Sequence, residues 1–276
     1  MSGMGRIGFI GLGSQGGPMA MRLVHAGMPL TVWARRPEAL EPYQEQGALG
    51  APDIETLGAQ CEHVSICVVD DGGVRAICDE LIPAMKAGSR IAIHSTVLPE
   101  TCDTIAAQAS ARGIAVLDAP VSGGGGAAAA GTLTVMCGGD AATFAACRPI
   151  FETFAGTLVH LGPLGSGQRA KIVNNALMAA NMGLAHAAMA VGAELGIDRA
   201  ALTELIKASS GRSFGFEVYA RLPTPTAFAH GASLLLKDVG FLNAILPDNA
   251  STSALQRAAD PFLFAASGTN SSELTK

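Results

Sequence analysis

Short runs rich in Val and Ile alternate with helical-looking segments along the first half of the chain. The runs lie at residues 6–10, 30–34, 63–69, 90–94 and 115–117, and their regular alternation with helices predicts a parallel sheet covered on both faces. Two further strand candidates, 133–137 and 158–161, flank a helical pattern over 141–154 and are assigned to the same sheet. After Gly162-Pro163-Leu164-Gly165 the period changes, because residues 166–195 hold no Pro, no β-branched cluster, and apolar positions at helical spacing. One long helix is expected there, stopped by Gly196. Asp198 reads as the N-cap of another helix through Ala208, followed by helices with loops at Pro223, Pro225 and Pro247. An α/β domain over 1–163 and an all-α domain over 164–276, carrying substrate and oligomerisation roles, are the expected division. The Ser/Thr-rich end, 267–276, is expected to fray.

Composition narrows the class. In 276 residues, 49% hydrophobic, 15% charged and only 5% aromatic with 34 glycines, the apolar content comes mostly from small and aliphatic side chains. That describes a packed globular chain and excludes disorder, a coiled coil and a collagen-like repeat. Eighteen Lys and Arg against 23 Asp and Glu leave a net charge of −5, so the broad basic footprint of a nucleic-acid binder is missing and a small-molecule partner is expected. Six cysteines show neither a CxxC pair nor His at metal-ligand spacing, which suggests no metal site and no disulfide framework and fits a reducing cytoplasm. The first apolar stretch, 7–12, is too short and glycine-broken for an export signal. A second, 176–193, is interrupted by Asn181 and His186 and reads as a buried helix rather than a membrane span.

The first chemical motif is a strand running into Gly11-Leu12-Gly13-Ser14-Gln15-Gly16, then a helical segment. In a GxGxxG turn the first glycine permits the bend, the second lets a pyrophosphate approach the backbone, and the third lets helix pack on strand. The anion rests on the helix N-terminus. This makes the N-terminal domain a doubly wound, Rossmann-type nucleotide binder. About 20 residues on, where an acid would hold a free ribose 2′-hydroxyl, stand Ala34, Arg35 and Arg36. Missing repulsion and two guanidinium groups favour the 2′-phosphate of NADP(H), with NAD(H) as the alternative if Arg35 stacks on adenine and Arg36 faces solvent. Val69 and Asp70, after the third strand, are placed at the loop edge beside the cofactor.

Two further constellations follow. Asp118-Ala-Pro-Val-Ser122-Gly123-Gly124 ends a strand in unshielded backbone N–H groups, a cradle for a small carboxylate or else a simple turn. Lys171, Asn174 and Asn175 share one face of the long helix; they are either a solvated first turn or polar groups costly to bury without a purpose.

Together these pieces resemble the β-hydroxyacid dehydrogenase family. Residues 11–20, Ser95-Thr96, residues 118–124, residues 165–175 and Lys237-Asp238 stand in the family's order over about residues 6–240. The resemblance implies that Lys171 is the catalytic acid/base, that Ser122, Gly123 and Gly124 bind a small carboxylate-bearing substrate, and that Asn175 positions it. It further places Thr96 and Lys237 beside the nicotinamide and the cleft, and implies a homodimer or homotetramer. The expected reaction interconverts a β-hydroxy acid and its semialdehyde or oxo acid, with hydride moving to or from nicotinamide and the lysine moving the hydroxyl proton. An imine reductase of the same architecture usually carries another residue at the lysine position. Lys171 weighs against it, and Lys171 with Asn175 weighs against a non-catalytic nucleotide-binding regulator. The chain departs from the family at Gln15, where Met is usual, at Arg22, where Asn is usual, at His94, near a position often acidic, and beyond Ala259, where a Gly- and Asp-rich segment is expected.

Overall fold

The computed structural model describes residues 5–247 and 249–268; most of the tail expected to fray lies outside them. In chain order the first half holds β1 (Ile7–Ile10), α1 (Gly16–His25), β2 (Leu30–Trp33), α2 (Glu41–Gln44), β3 (Leu49–Gly50), α3 (Ile54–Gln60), β4 (His63–Ile66), α4 (Asp71–Ala84), β5 (Arg90–Ile93), α5 (Pro99–Ser110) and β6 (Ala115–Asp118). Then come β7 (Val121–Ser122), α6 (Gly124–Ala130), β8 (Leu133–Cys137), α7 (Ala141–Phe151), β9 (Ala155–His160), α8 (Ser166–Glu194), α9 (Arg199–Lys207), α10 (Phe214–Ala220), α11 (Ala229–Ile245) and α12 (Ala250–Ser267). The chain divides into two compact units between Lys171 and Ile172, inside α8.

Strands β1 to β6 form one parallel sheet in the order β3-β2-β1-β4-β5-β6, the doubly wound order of a Rossmann domain. Both faces are covered, which is why the strands read as near-continuous apolar runs. Ile7, Phe9 and Val32 pack against Met19 and Leu23 of α1 and Phe151 of α7. Ile10, Val64, Ile66 and Ile91 pack against Leu57 of α3 and Leu81 of α4. Side-chain oxygens of Asp53, Asp70 and Asp140 cap α3, α4 and α7 by accepting from Thr56, Gly73 and Thr143 N–H groups at 2.7–2.8 Å, each contributing about 1 kcal/mol.

One sheet assignment fails. Strands β8 and β9 do not extend the parallel sheet; with β7 they make a separate three-stranded sheet, β7-β8-β9. The reason is a reversal just after β6: Pro120 offers no N–H to continue a parallel ladder, and β7 turns back antiparallel on β8 through Val121–Val135 and Ser122–Thr134. An isolated antiparallel bridge between Asp118 and Gly138 ties the two sheets. Strand β9 also starts earlier than the apolar pattern suggests, at Ala155.

The second unit is all helical. Its stretch of α8 buries Ile172, Ala176, Ala179 and Met182 against Phe216 of α10, Leu242 of α11 and Phe262 of α12. Val173, Leu177, Leu184 and Val191 lie exposed on the same helix. By length and composition alone α8 could cross a bilayer; 44% of its apolar window is buried in the protein. Asp198 caps α9 by accepting from Ala201 N–H at 2.9 Å, and the left-handed Gly196 ends the preceding turn.

Two histidines sit in the first face of the parallel sheet. Burial, reinforced by neighbouring His94 and Arg90, pushes His63 down to about 3; burial pushes His94 down to about 4 against a hydrogen bond that raises it. Both therefore stay neutral in the folded protein at a pH where the unfolded chain, with its ordinary value near 6.5, takes up protons. With more protons bound to the unfolded state, stability falls as pH drops from about 6.5 toward 4, by up to about 1.4 kcal/mol per pH unit per histidine. Urea unfolding of the protein and of His63→Gln between neutral and acid pH should show the shallower slope in the variant. Equal slopes would mean that His63 is protonated in the fold.

Candidate active site

The GxGxxG turn follows β1 where β4 is its neighbour in the sheet but not in sequence, and the helices after these two strands, α1 and α4, pack on opposite faces. Gly11 has φ +101°, and a Cβ there would collide with the Cys67 carbonyl; one at Gly16 would collide with the Gly11 carbonyl. Two of the three glycines are thus required by the fold itself. A Cβ on exposed Gly13 meets nothing within 4 Å, so the bare backbone borders open space at the start of α1. No acidic side chain occupies that helix's first turn, and Gln15 at its N-cap makes no side-chain capping bond. The positive end of a ten-residue helix and open space beside Gly13 fit the pyrophosphate of a dinucleotide. Leu12 lies half-buried in the same turn.

At the end of β2, Ala34 is half-buried while Arg35 and Arg36 are exposed. Among the described residues no carboxylate forms an ion pair with either arginine. Val69 is 68% exposed, and the adjacent Asp70 spends its carboxylate on the α4 cap. Asp71 accepts from Leu98 N–H and the Thr101 hydroxyl, at 2.9 and 2.6 Å. Among the described residues no three His, Cys, Asp or Glu side chains gather as a metal site requires.

The Ser122-Gly123-Gly124 turn lies beside the nucleotide turn. Gly123 and Gly124 have φ of +133° and +72°, and a Cβ on the next residue, Gly125, would strike the Ser14 carbonyl. The two glycine turns therefore touch backbone to backbone. Arg22, the departure on α1, donates Nε–H to the Thr153 carbonyl at 2.9 Å, a structural tie rather than a cofactor contact.

Lys171 is 7% exposed, in the second turn of α8, and Asn175 one turn later is 9% exposed; a solvated first turn is excluded for both. Asn174 is exposed. What sets the start of α8 was not identified from sequence. Asp118, fully buried at the end of β6, accepts from Gly165 N–H at 2.8 Å and from Gln168 N–H at 2.7 Å, so the helix is capped by a residue 47 positions upstream. Burial pushes the Asp118 carboxyl up, while the N–H groups of Gln168 and Gly165 pull it back. The buried Gln168 amide brackets the peptides on both sides of Thr96: Nε2 donates to the Ser95 carbonyl at 2.8 Å and Oε1 accepts from Val97 N–H at 3.2 Å. Asp118 and Gln168 are positioning residues. One fixes the helix carrying Lys171, the other the half-buried Thr96. In the second unit, Asn175 donates Nδ2–H to Asp238 at 2.6 Å, and Lys237 lies 3.4 Å from the other oxygen of that carboxylate and 5.1 Å over the Phe241 ring.

Comparison with known proteins identifies the family. Residues 6–162 match the family model of the NAD-binding domain of 6-phosphogluconate dehydrogenase, and residues 165–270 match that of NADP-dependent 3-hydroxyisobutyrate dehydrogenase. The chain is 38% identical over 255 residues to a 3-hydroxyisobutyrate dehydrogenase of Pseudomonas aeruginosa, covering 85% of this chain and 83% of that one. It is 35% identical over 271 residues to an NAD-dependent L-serine dehydrogenase of the same organism, covering 91% and 89%. Among solved structures, a Mycobacterium tuberculosis 3-hydroxyisobutyrate dehydrogenase with L-serine superposes with a TM-score of 0.83 at 29% identity, covering 94% and 93%. The chain belongs to the β-hydroxyacid dehydrogenase family of nicotinamide-dependent oxidoreductases.

Proposed function

We propose that this protein uses NADP(H) to interconvert a small β-hydroxy acid and its semialdehyde, with Lys171 as acid/base. The observation that carries the reading is the contact between the two glycine turns, at Gly125 and Ser14. A cofactor lying on Gly13 and a carboxylate lying on Ser122-Gly123-Gly124 are thereby brought side by side. The nicotinamide, when bound, supplies the hydride donor or acceptor. Ser122 and the Gly123 and Gly124 N–H groups hold the substrate carboxylate. The Lys171 Nζ takes the hydroxyl proton as the carbon is oxidised, or returns it during reduction, and in its ammonium form stabilises the developing alkoxide. Asn175 presents an amide on the same helix face as Lys171, oriented by Asp238.

Two relatives carry names that point to one substrate pattern, 3-hydroxyisobutyrate and L-serine. Both molecules have a primary alcohol one carbon removed from the carbon bearing the carboxylate. We therefore expect turnover of HO–CH2–CHR–COO⁻ compounds, followed by nicotinamide absorbance, with methyl esters of the same alcohols turned over poorly. Equal turnover of acid and ester would overturn the carboxylate cradle.

Preference for NADP(H) rests on Ala34 and the two exposed arginines after it. In Ala34→Asp the NADP-over-NAD ratio of kcat/KM should fall by about tenfold or more, because the new carboxylate accepts from the ribose and repels a 2′-phosphate. A preference for NAD(H) in the unmutated protein would overturn this assignment.

A further inference from the structure

Behind the two glycine turns, four buried side chains form one hydrogen-bonded row that the reaction does not use. His63 and Ser65 are two apart on β4 and so share a face, with Nε2 of His63 3.0 Å from the Ser65 hydroxyl. That hydroxyl lies 3.2 Å from Nε2 of His94, whose Nδ1 is 2.7 Å from the Ala119 carbonyl. At the other end the Cys147 thiol of α7 lies 3.5 Å from His63 Nδ1. The Ala119 carbonyl can only accept, so His94 donates through Nδ1 and, being neutral, accepts through Nε2. Ser65 must give its proton to His94 and accept from His63 Nε2–H, which leaves His63 Nδ1 to accept from the Cys147 thiol. Every group is satisfied and every proton runs one way, toward Ala119. Phe9 lies parallel to the His94 ring at 6.4 Å between centroids, and Phe151 and Phe154 meet it edge-on at 5.4 and 5.6 Å.

Ala119 links β6 to β7, three residues before Ser122. Its N–H donates to the Ile93 carbonyl at 2.8 Å and the Pro120 carbonyl accepts from Met136 N–H at 3.0 Å. These are backbone bonds common to any side chains. Among the described residues, His94 supplies the only side chain bonded to this link. We propose that His94 is a positioning residue for the substrate: by holding the Ala119 carbonyl it fixes the path of the chain into the Ser122-Gly123-Gly124 turn. The role rests on the reading of that turn as the carboxylate cradle. A buried carbonyl left without its donor is destabilised, which favours reorientation of the Ala119–Pro120 peptide, and the fixed φ of Pro120 passes that change on toward the turn.

Two substitutions separate this role from simple packing, since both remove the ring. The amide nitrogen of His94→Asn stands close to where Nδ1 was and keeps the bond to Ala119, whereas that of His94→Gln stands where Nε2 was and keeps only the side facing Ser65. Substrate KM should rise about tenfold in His94→Gln and stay near normal in His94→Asn, with cofactor Kd unchanged in both. Amide hydrogen exchange over residues 121–124 should quicken in His94→Gln and not in His94→Asn. Equal exchange in the two folded variants overturns the proposal. Faster exchange in His94→Gln with an unchanged substrate KM supports the hold on the turn and overturns instead the reading of the turn as the cradle.

Discussion

Lys171→Met is expected to lower kcat by roughly 10² to 10⁴, the range for a lost general acid or base, while binding of the nicotinamide cofactor persists. Methionine is one atom shorter than lysine, with nearly its helix propensity, and Lys171 is already buried, so the substitution removes the amine while keeping the apolar stem. The nucleotide turn has its own constraints, because a Cβ at Gly11 would meet the Cys67 carbonyl and one at Gly16 the Gly11 carbonyl. Cofactor titration by fluorescence and single-turnover absorbance separate the two effects. A near-normal kcat in the folded, cofactor-loaded variant would move the acid/base elsewhere. Recovery of turnover with small added amines would place proton transfer at this position.

Asp118→Ala is expected to cost about 4 kcal/mol of stability. The carboxylate accepts from two N–H groups, of Gly165 and Gln168, and each buried donor left unpaired costs about 1–3 kcal/mol. Removing a carboxylate that burial already strains offsets part of this. At roughly 2–4 °C per kcal/mol for a chain of this size, Tm should fall by roughly 8–16 °C. Turnover should fall further than the folded fraction accounts for, because the first turns of α8 carry Lys171. Asp118→Asn retains one accepting oxygen and should recover about half of the lost Tm. An unchanged Tm in Asp118→Ala would mean that the helix start is held by other contacts.

The parts of this molecule that could be read without coordinates are those in which a residue acts on its near neighbours. The strand-turn-helix of the nucleotide site, the Asp198 cap of α9, and the long helix expected over 166–195 and observed as Ser166–Glu194 all follow from local spacing. What escaped acts at a distance. Leu133 to Cys137 has the pattern of a strand, but nothing in that pattern names its partner, and β8 pairs with β7 and β9 instead of β6. Asp118 and Gln168 stand in segments already singled out, yet their partners lie 47 to 73 residues away. Asp70, placed beside the cofactor from its loop position, also caps α4 with its carboxylate. His94, noted only as a departure, carries no local signal, since Ser65 and Ala119 are 29 and 25 residues off.

Asp118 has one further effect, on how freely the gene can change. The chain leaves the parallel sheet at this residue, returns to it at Gly138 through the bridge, leaves again, and returns at Gly165 through the carboxylate. Residues 119–137 and 139–164 are therefore two closed excursions pinned at a common base. Added length in either, at a surface turn such as left-handed Gly131, costs only the slow growth of loop-closure entropy, about 0.6 kcal/mol per doubling. None of that length is passed on to the start of α8. An inserted peptide at such a turn should therefore be tolerated, whereas a single added residue between Gly165 and Lys171 rotates the amine off its face of the helix by about 100°.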